Sequence, residues 1–302
     1  MSGSPRLAPS TLGLIAVGVV AVSMSGPVMA SLAVPALVIS FWRNGLATLL
    51  LAPVAMVRRR AEIGGLSHAE LGWIVASGVC LAVHFGTWVT SLSMTSVAAS
   101  TAIVCLQIAW VAGWDRFSGV RLPARAVAGL VAAFVGVVVI TGVDLSVSTR
   151  AVVGDLLALV GSVAVAAYTV IGGRARRTVS TTSYTFVCYG TAALLLMVAS
   201  LVAGASLVGY DAHDWALIAL VTLTSQLLGH SVFNHLLDRI RPVVVSLAIL
   251  LEIPGAALLA AAFLGQVPPP GVFVGLALIL AGMALVVVEG PDRTDEPAIT
   301  DL

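Results

Sequence analysis

Short charged or Pro/Gly-rich breaks cut the chain into ten apolar runs, near 12–32, 35–57, 71–92, 96–114, 126–143, 152–172, 184–204, 215–236, 243–264 and 270–288. Each is close to the roughly 20 residues that carry a helix across about 30 Å of hydrocarbon at 1.5 Å per residue. Apolar residues make up 59% of the 302 positions and charged residues 10%, against roughly 45–50% and 25% in soluble domains. No soluble fold could hide that much apolar surface, and ten spans leave little chain for a soluble domain. The expected fold is an all-α polytopic membrane protein of ten transmembrane helices, with a lipid bilayer as its first partner. A cleaved leader is not expected, although Ala30-Ser31-Leu32-Ala33 loosely permits one, because the repeat described below uses the first run.

The arginines set the orientation. Arg58, Arg59 and Arg60 follow span 2; Arg116, Arg121 and Arg125 follow span 4; Arg174, Arg176 and Arg177 follow span 6; Arg239 and Arg241 follow span 8. With Arg6 and Arg293, 13 of the 15 basic residues lie on one side, while Arg150 lies on the other and Arg43 within a span. The positive-inside rule then places both termini in the cytoplasm. Five spans per half is an odd number, so two copies of one unit would sit upside down relative to each other.

The sequence carries such a duplication. A shift of 146 residues matches His84 to His230, Ser100 to Ser246, Pro123 to Pro269, Gly129-Leu130 to Gly275-Leu276 and Gly136 to Gly282; a shift of 143 matches Val17-Gly18 to Val160-Gly161. The organisation expected is one five-helix repeat over 12–143, a second over 152–289, and a short cytoplasmic tail over 290–302. Inverted repeats of this kind recur in secondary transporters, where two related halves rock about a central site.

Ionisable groups inside the bilayer are costly and therefore candidates for function. Arg43 lies about 12 Å into span 2 at 1.5 Å per residue, either as a functional cation or as a partly interfacial anchor. Glu252 lies near the middle of span 9, where a desolvated carboxyl can exchange protons in the physiological range; the alternative is a structural acid satisfied by a neighbour such as Arg43. In span 3, His84, Thr87 and Ser91 share a helix face with Trp88 beside them, and in span 8, Gln226, His230 and Asn234 do the same. Gln107 falls within one position of Glu252 under the 146-residue shift. These residues form the expected substrate or proton pathway. Gly129, Gly136, Gly275 and Gly282 read as close helix packing, and Pro27 and Pro254 as either helix breaks facing a cavity or simple kinks.

Further motifs carry a family resemblance. His84-Phe85-Gly86-Thr87-Trp88-Val89-Thr90-Ser91-Leu92 and Thr95-Ser96-Val97-Ala98-Ala99-Ser100-Thr101 are similar to the first half of EamA-type transporters of the drug/metabolite transporter superfamily. Gly154-Asp155-Leu156-Leu157-Ala158-Leu159, Gly229-His230, Leu250-Leu251-Glu252-Ile253-Pro254 and Phe263-Leu264-Gly265-Gln266-Val267-Pro268 resemble the second half. The resemblance implies a ten-helix inner-membrane carrier that exports or exchanges amino acids, other metabolites or drug-like compounds. Three departures stand out: Gln107-Ile108 where the family usually has Pro, Glu252-Ile253-Pro254 where it has adjacent Glu-Pro, and Gln266 where it has Glu. The first two are expected to reshape the cavity, the third to act on packing or gating at the membrane edge.

Other functions are weaker readings. An intramembrane enzyme is prompted by His230 and His235, but five residues do not return a helix to the same face, and five histidines in all are too few for a di-metal site. Cys80, Cys105 and Cys188 have no paired spacing. No phosphate loop offers ATP hydrolysis. A structural scaffold would need neither Glu252 nor the paired histidines. No cofactor, metal or nucleic acid is expected; the partners are a small-molecule substrate and lipid, with the chain acting as a monomer or homodimer.

Overall fold

The computed structural model describes residues 9–119, 124–237, 245, 249 and 251–288, and among these there is helix but no strand. The elements are α1 (Pro9–Ser23), α2 (Ser25–Ala30), α3 (Ala36–Arg58), α4 (Arg60–Gly64), α5 (His68–Ser91), α6 (Val97–Val104), α7 (Gln107–Phe117), α8 (Ala124–Val147), α9 (Thr149–Ala175), α10 (Thr181–Val202), α11 (Ala212–Val221), a π-helix (Thr222–His230), α12 (Ser231–Leu236), α13 (Glu252–Leu264) and α14 (Pro270–Val288). Among the described residues seven helices, counting broken ones as single spans, are long and apolar enough to cross a membrane. Three shorter apolar stretches fall within α8, α13 and α14.

Polar side chains start many of these helices, because the first backbone N–H groups have no partner within the helix. Ser96 accepts from Ala99 N at 3.1 Å, Ser148 from Ala151 N at 3.1 Å and Asp211 from Asp214 N at 2.8 Å. Ser67 and Glu70 cap α5 reciprocally. At the far end of α13, Gly265 takes φ +64°, a left-handed turn that favours glycine.

The two halves interleave rather than lie side by side. α5 packs on α9, α3 on α10, α8 on α14, and α1 on the π-helix, so every one of these seams joins the first half to the second. Without a hydrophobic drive between helices in lipid, close backbone approach has to supply the attraction. Glycines provide it: a Cβ on Gly78 would lie 2.8 Å from Cys188 O, and one on Gly136 would lie 2.6 Å from Gly275 O. A Cβ on Gly282 would collide with Gly129 O. The packing role expected for these four repeat-related glycines is what the α8–α14 seam displays.

Both ends of the molecule are tied across the halves. At the arginine-bearing end, Glu62 accepts from Ser180 N at 2.6 Å and Ser180 Oγ at 2.7 Å, and Glu70 from Thr178 Oγ1 at 2.7 Å. Arg174 lies over the rings of Trp73 and Trp114, which gathers the loops after spans 2, 4 and 6 at one end. At the opposite end Asp214 Oδ1 accepts from Ala33 N at 3.3 Å, Gln266 Oε1 from Val97 N at 3.2 Å, and Ser93 O from Arg150 Nη2 at 2.8 Å. Gln266, where the family resemblance expects Glu, thus tethers the last loop to the start of α6.

Candidate functional site

Spans 1 and 4 are interrupted near their middles, and α13 begins beside both breaks. α1 gives way to α2 at Met24, α6 to α7 at Cys105-Leu106, and α13 begins at Glu252 after a turn at Leu251. Pro27 and Pro254 each occupy the third position of the helix that follows, where proline's missing N–H costs nothing. A Cβ on Gly255 would strike the Ser23 side chain, so the two proline-marked breaks pack against each other. The break in α6–α7 forms without proline: Leu106 N bonds Ile103 O at 3.1 Å and Ala109 N bonds Leu106 O at 2.8 Å, a tightened i to i+3 turn. The loss of proline at Gln107-Ile108 therefore leaves the interruption in place. Gln107 opens the second part of the broken span 4, and Glu252 opens α13 in the other half.

A cavity of about 50 Å³ lies where these breaks converge, lined from the first half by Ser25, His84, Trp88 and Gln107 and from the second by residues that include His230, Asn234 and Glu252. It has room for a few waters and would have to widen for a metabolite.

Six of the eight sequence-predicted residues line this space; Arg43 and Gln226 stand behind it. Arg43 is fully buried, which replaces the interfacial-anchor reading with a core one. Its Nε donates to Gln226 Oε1 at 2.9 Å and its Nη1 to Ser25 Oγ at 3.1 Å, with Met29 Sδ at 3.3 Å; Nη2 has no partner. The guanidinium carbon sits 4.0 Å over the Phe85 ring. Gln226 in turn donates to Asn44 Oδ1 at 3.0 Å. Gln226 lies within the π-helix that occupies the middle of span 8, and there it faces span 2 rather than the cavity. Arg43 and Glu252 make no direct ion pair.

The paired histidines share one aromatic cluster. His84 and His230 lie 4.7 and 5.4 Å from the Phe85 ring, and Trp88 stacks on His84 at 5.4 Å and 16°. His84 Nδ1 is 3.0 Å from Gly161 O. A carbonyl only accepts, so that bond assigns the proton to Nδ1 and leaves the Nε2 lone pair free. Thr87 and Ser91, read as a stripe with His84, turn away from the cavity: Thr87 Oγ1 bonds Val83 O at 2.9 Å and Ser91 Oγ pairs with Ser100 Oγ at 2.5 Å.

Sequence reasoning missed three residues around Asn234. Tyr168 Oη donates to Asn234 Oδ1 at 2.8 Å, Asn234 Nδ2 donates to Tyr189 Oη at 3.3 Å, and Arg176 Nε donates to Asn234 O at 3.2 Å. Arg176 is only 4% exposed, although it belongs to a cluster read as loop charge. Cavity and arginine-bearing end are thus joined through one asparagine. Nothing in the spacing marked the tyrosines, since an aromatic in an apolar run reads as packing. Among the described residues no group of three or more His, Cys, Asp or Glu could hold a metal.

Comparison with known proteins agrees with this architecture. The model of the EamA-like transporter family matches twice, over residues 10–142 and 152–288. No curated protein matches the chain. A solved structure described only as a crystal structure of a protein superposes with a TM-score of 0.67 at 18% identity, over 92% of this chain and 97% of that one, which speaks to the fold alone. The two matched segments account for nearly the whole chain, which is therefore a multi-pass membrane protein belonging to the EamA-like transporter family, within the drug/metabolite transporter superfamily.

Proposed function

We propose that the chain is a secondary transporter of the cell (inner) membrane that exports or exchanges small metabolites such as amino acids or drug-like compounds, with Glu252 as its proton carrier. In this reading ten spans form two inverted repeats, 12–143 and 152–289, with both termini cytoplasmic. The observation that carries it is the cavity itself: it sits between the halves, beside interrupted helices, and takes polar groups from both. Interrupted helices at the midplane are the usual way a carrier lends backbone and side-chain groups to a solute. Hydrogen bonds join the halves at both ends of the molecule. Transport then requires the two sets to break in turn, the Glu62–Ser180 pair opening one end and the Asp214–Ala33 and Gln266–Val97 pairs the other.

The test is flux. Purified protein in vesicles should move a subset of amino acids or hydrophobic drugs, and move them faster under a proton gradient. Glu252→Gln should abolish or uncouple that gradient dependence while folding and insertion stay largely unchanged. Gradient-driven flux that survives Glu252→Gln unaltered would refute the coupling role. Reporter fusions that place Arg59 and Arg176 on opposite faces of the membrane would refute the inverted arrangement.

A further inference from the structure

An apolar row along the second part of α9 ends in a cation. Val160 and Val163 are exposed, Ala167 and Val170 continue the row half-buried, and Arg174 closes it, again exposed. The steps alternate three and four residues, so all five stand on one face of the helix. In a multi-pass membrane protein an uncovered apolar face meets acyl chains. From Val163 to Arg174 the row is about 16 Å long at 1.5 Å per residue, close to one leaflet of a hydrocarbon core of roughly 30 Å.

Arg174 is set apart from other arginines at its end of the molecule. Its guanidinium carbon lies 5.3 Å from the Trp73 ring and 5.8 Å from the Trp114 ring, so one indole from α5 and one from α7 flank the last turn of α9. The two indoles remain 40% and 48% exposed, and Phe117, one turn beyond Trp114 on the same side of α7, is 92% exposed. Arg58, Arg60 and Arg177 stand over no ring among the described residues. Aromatic faces steady a guanidinium and leave its N–H groups free to meet a phosphate two at a time. Among the described residues Arg174 has no acidic partner. The acids whose side chains are described at this end are engaged elsewhere: Glu62 with Ser180 and Arg59, Glu70 with Thr178 and Ser67. Arg116, two residues after Trp114, is a second exposed cation.

We propose that the end of α9 is a binding site for one anionic phospholipid, with the phosphodiester on Arg174 between Trp73 and Trp114 and an acyl chain along Val170, Ala167 and Val163. Indoles and arginines are common at membrane interfaces; here three helices bring two rings to one cation at the head of an apolar track. A free phosphate would gain the cation but neither the rings nor the track. A zwitterionic headgroup would bring its own ammonium towards Arg174 and Arg116, whereas an anionic one adds only attraction. The site requires a membrane and stands whether or not Glu252 carries protons.

Native mass spectrometry of the detergent-purified full chain resolves single bound lipids. The probes are dioleoyl phosphatidylglycerol, which is anionic, and dioleoyl phosphatidylcholine, which is zwitterionic with the same chains. The first phosphatidylglycerol should bind at least about fivefold more tightly than the first phosphatidylcholine. Arg174→Gln should bring the two within about twofold of each other, and Arg174→Lys should keep a reduced preference. Replacing Trp73 and Trp114 together with leucine should weaken phosphatidylglycerol by about threefold or more; this variant leaves every charge in place and decides the question should Arg174→Gln not fold. Arg60→Gln removes the same charge at the same end and should leave the preference intact. Equal affinities in the wild-type chain, a preference that survives Arg174→Gln or is unmoved by loss of both indoles, or an equal loss in Arg60→Gln would overturn the proposal, the last by showing diffuse attraction instead of a site. Displacement of the lipid by millimolar glycerol phosphate would overturn it as well, since the surface would then be one for a free phosphate; lipid that stays bound supports it.

Discussion

Replacing Gly275 with alanine tests whether the α8–α14 seam is held by backbone contact. A Cβ there would lie 2.5 Å from Ile140 Cγ1 and 2.7 Å from Gly136 O. The isoleucine can turn aside, but a carbonyl oxygen in a helix cannot. Restoring that oxygen contact to an ordinary 3.4 Å means parting the helices by about 0.7 Å at this level. A gap of roughly 0.5–1 Å already forfeits about a quarter to a half of the dispersion well, and in lipid no hydrophobic term makes up the loss. Overpacking of this kind costs about 1–3 kcal/mol, which in a chain of this size lowers the unfolding midpoint by about 2–6 °C. Gly136→Ala meets Gly275 O at 2.6 Å and strains the same contact from the other side. Once one methyl has parted the helices the second enters space already made, so the double variant should fall short of the sum by about 0.5 kcal/mol or more. Gly72, on the exposed side of α5 with nothing within 4 Å of its would-be Cβ, is the control; alanine there should stabilise by about 0.5–1 kcal/mol. Thermal unfolding of the detergent-purified chain reads all four. An unchanged or raised midpoint in Gly275→Ala, or strict additivity in the double variant, would refute the reasoning.

Gln226→Leu removes the acceptor of Arg43 Nε and the donor to Asn44 Oδ1 together; we expect a loss of about 2–4 kcal/mol, seen as a lower unfolding midpoint, whereas a neutral result would mean water replaces both bonds. Alanine at His84 or His230 should change substrate affinity or rate more than a comparable change at Gly129 or Gly275, and the opposite ranking in a flux assay would move the site away from the aromatic cluster. Partial burial raises the Glu62 carboxyl, but hydrogen bonds from Ser180 N–H and Oγ–H outweigh it and hold the group below its ordinary value. Because the folded-state value is lowered, the tie to Ser180 contributes stability above the ordinary carboxylate range and loses it as pH falls through the lowered value. Amide protection around residues 178–183, taken relative to the intrinsic exchange rate at each pH, should accordingly be high at neutral pH and fall in acid, and Glu62→Gln should flatten that profile; identical profiles would show that Ser180 is held by something else.

Much of this arrangement could be read from the chain, and the reasons for the remainder are physical. Hydropathy runs and a 146-residue shift located the duplication because membrane helices must be apolar throughout and a duplicated cavity must place its few polar groups in register; His84 and His230 are such a pair. The glycines at 136, 275 and 282 were legible because close approach of two backbones leaves room for no other residue. Partner choice was not legible. Gln226 has the same spacing to His230 that His84 has to Trp88, yet the π-helix turns it to Arg43, and a change in helix type leaves no mark in hydropathy. Arg176 shows a similar limit. Its cluster signalled sidedness, which depends on charge alone, while its burial against Asn234 depends on the tertiary fold.

The asymmetry between the halves follows from the same breaks that make them alike. Gln107 opens α7 and Glu252 opens α13, so each presents its side chain to the cavity from a helix N-terminus. That end favours negative charge, and a carboxylate is tolerated at either position. Only the second half has one. A neutral amide at Gln107 accepts a hydrogen bond without adding a second charge, whereas two facing carboxylates would repel each other. A single acid at the shared seam gives one titratable group there per molecule. With Glu252 as the proton carrier, the ratio should be one proton per transport cycle. Replacing Gln107 with Glu would then be expected to raise that ratio or to arrest transport, whereas flux at an unchanged ratio would show that residue 107 does not share the carboxylate's site.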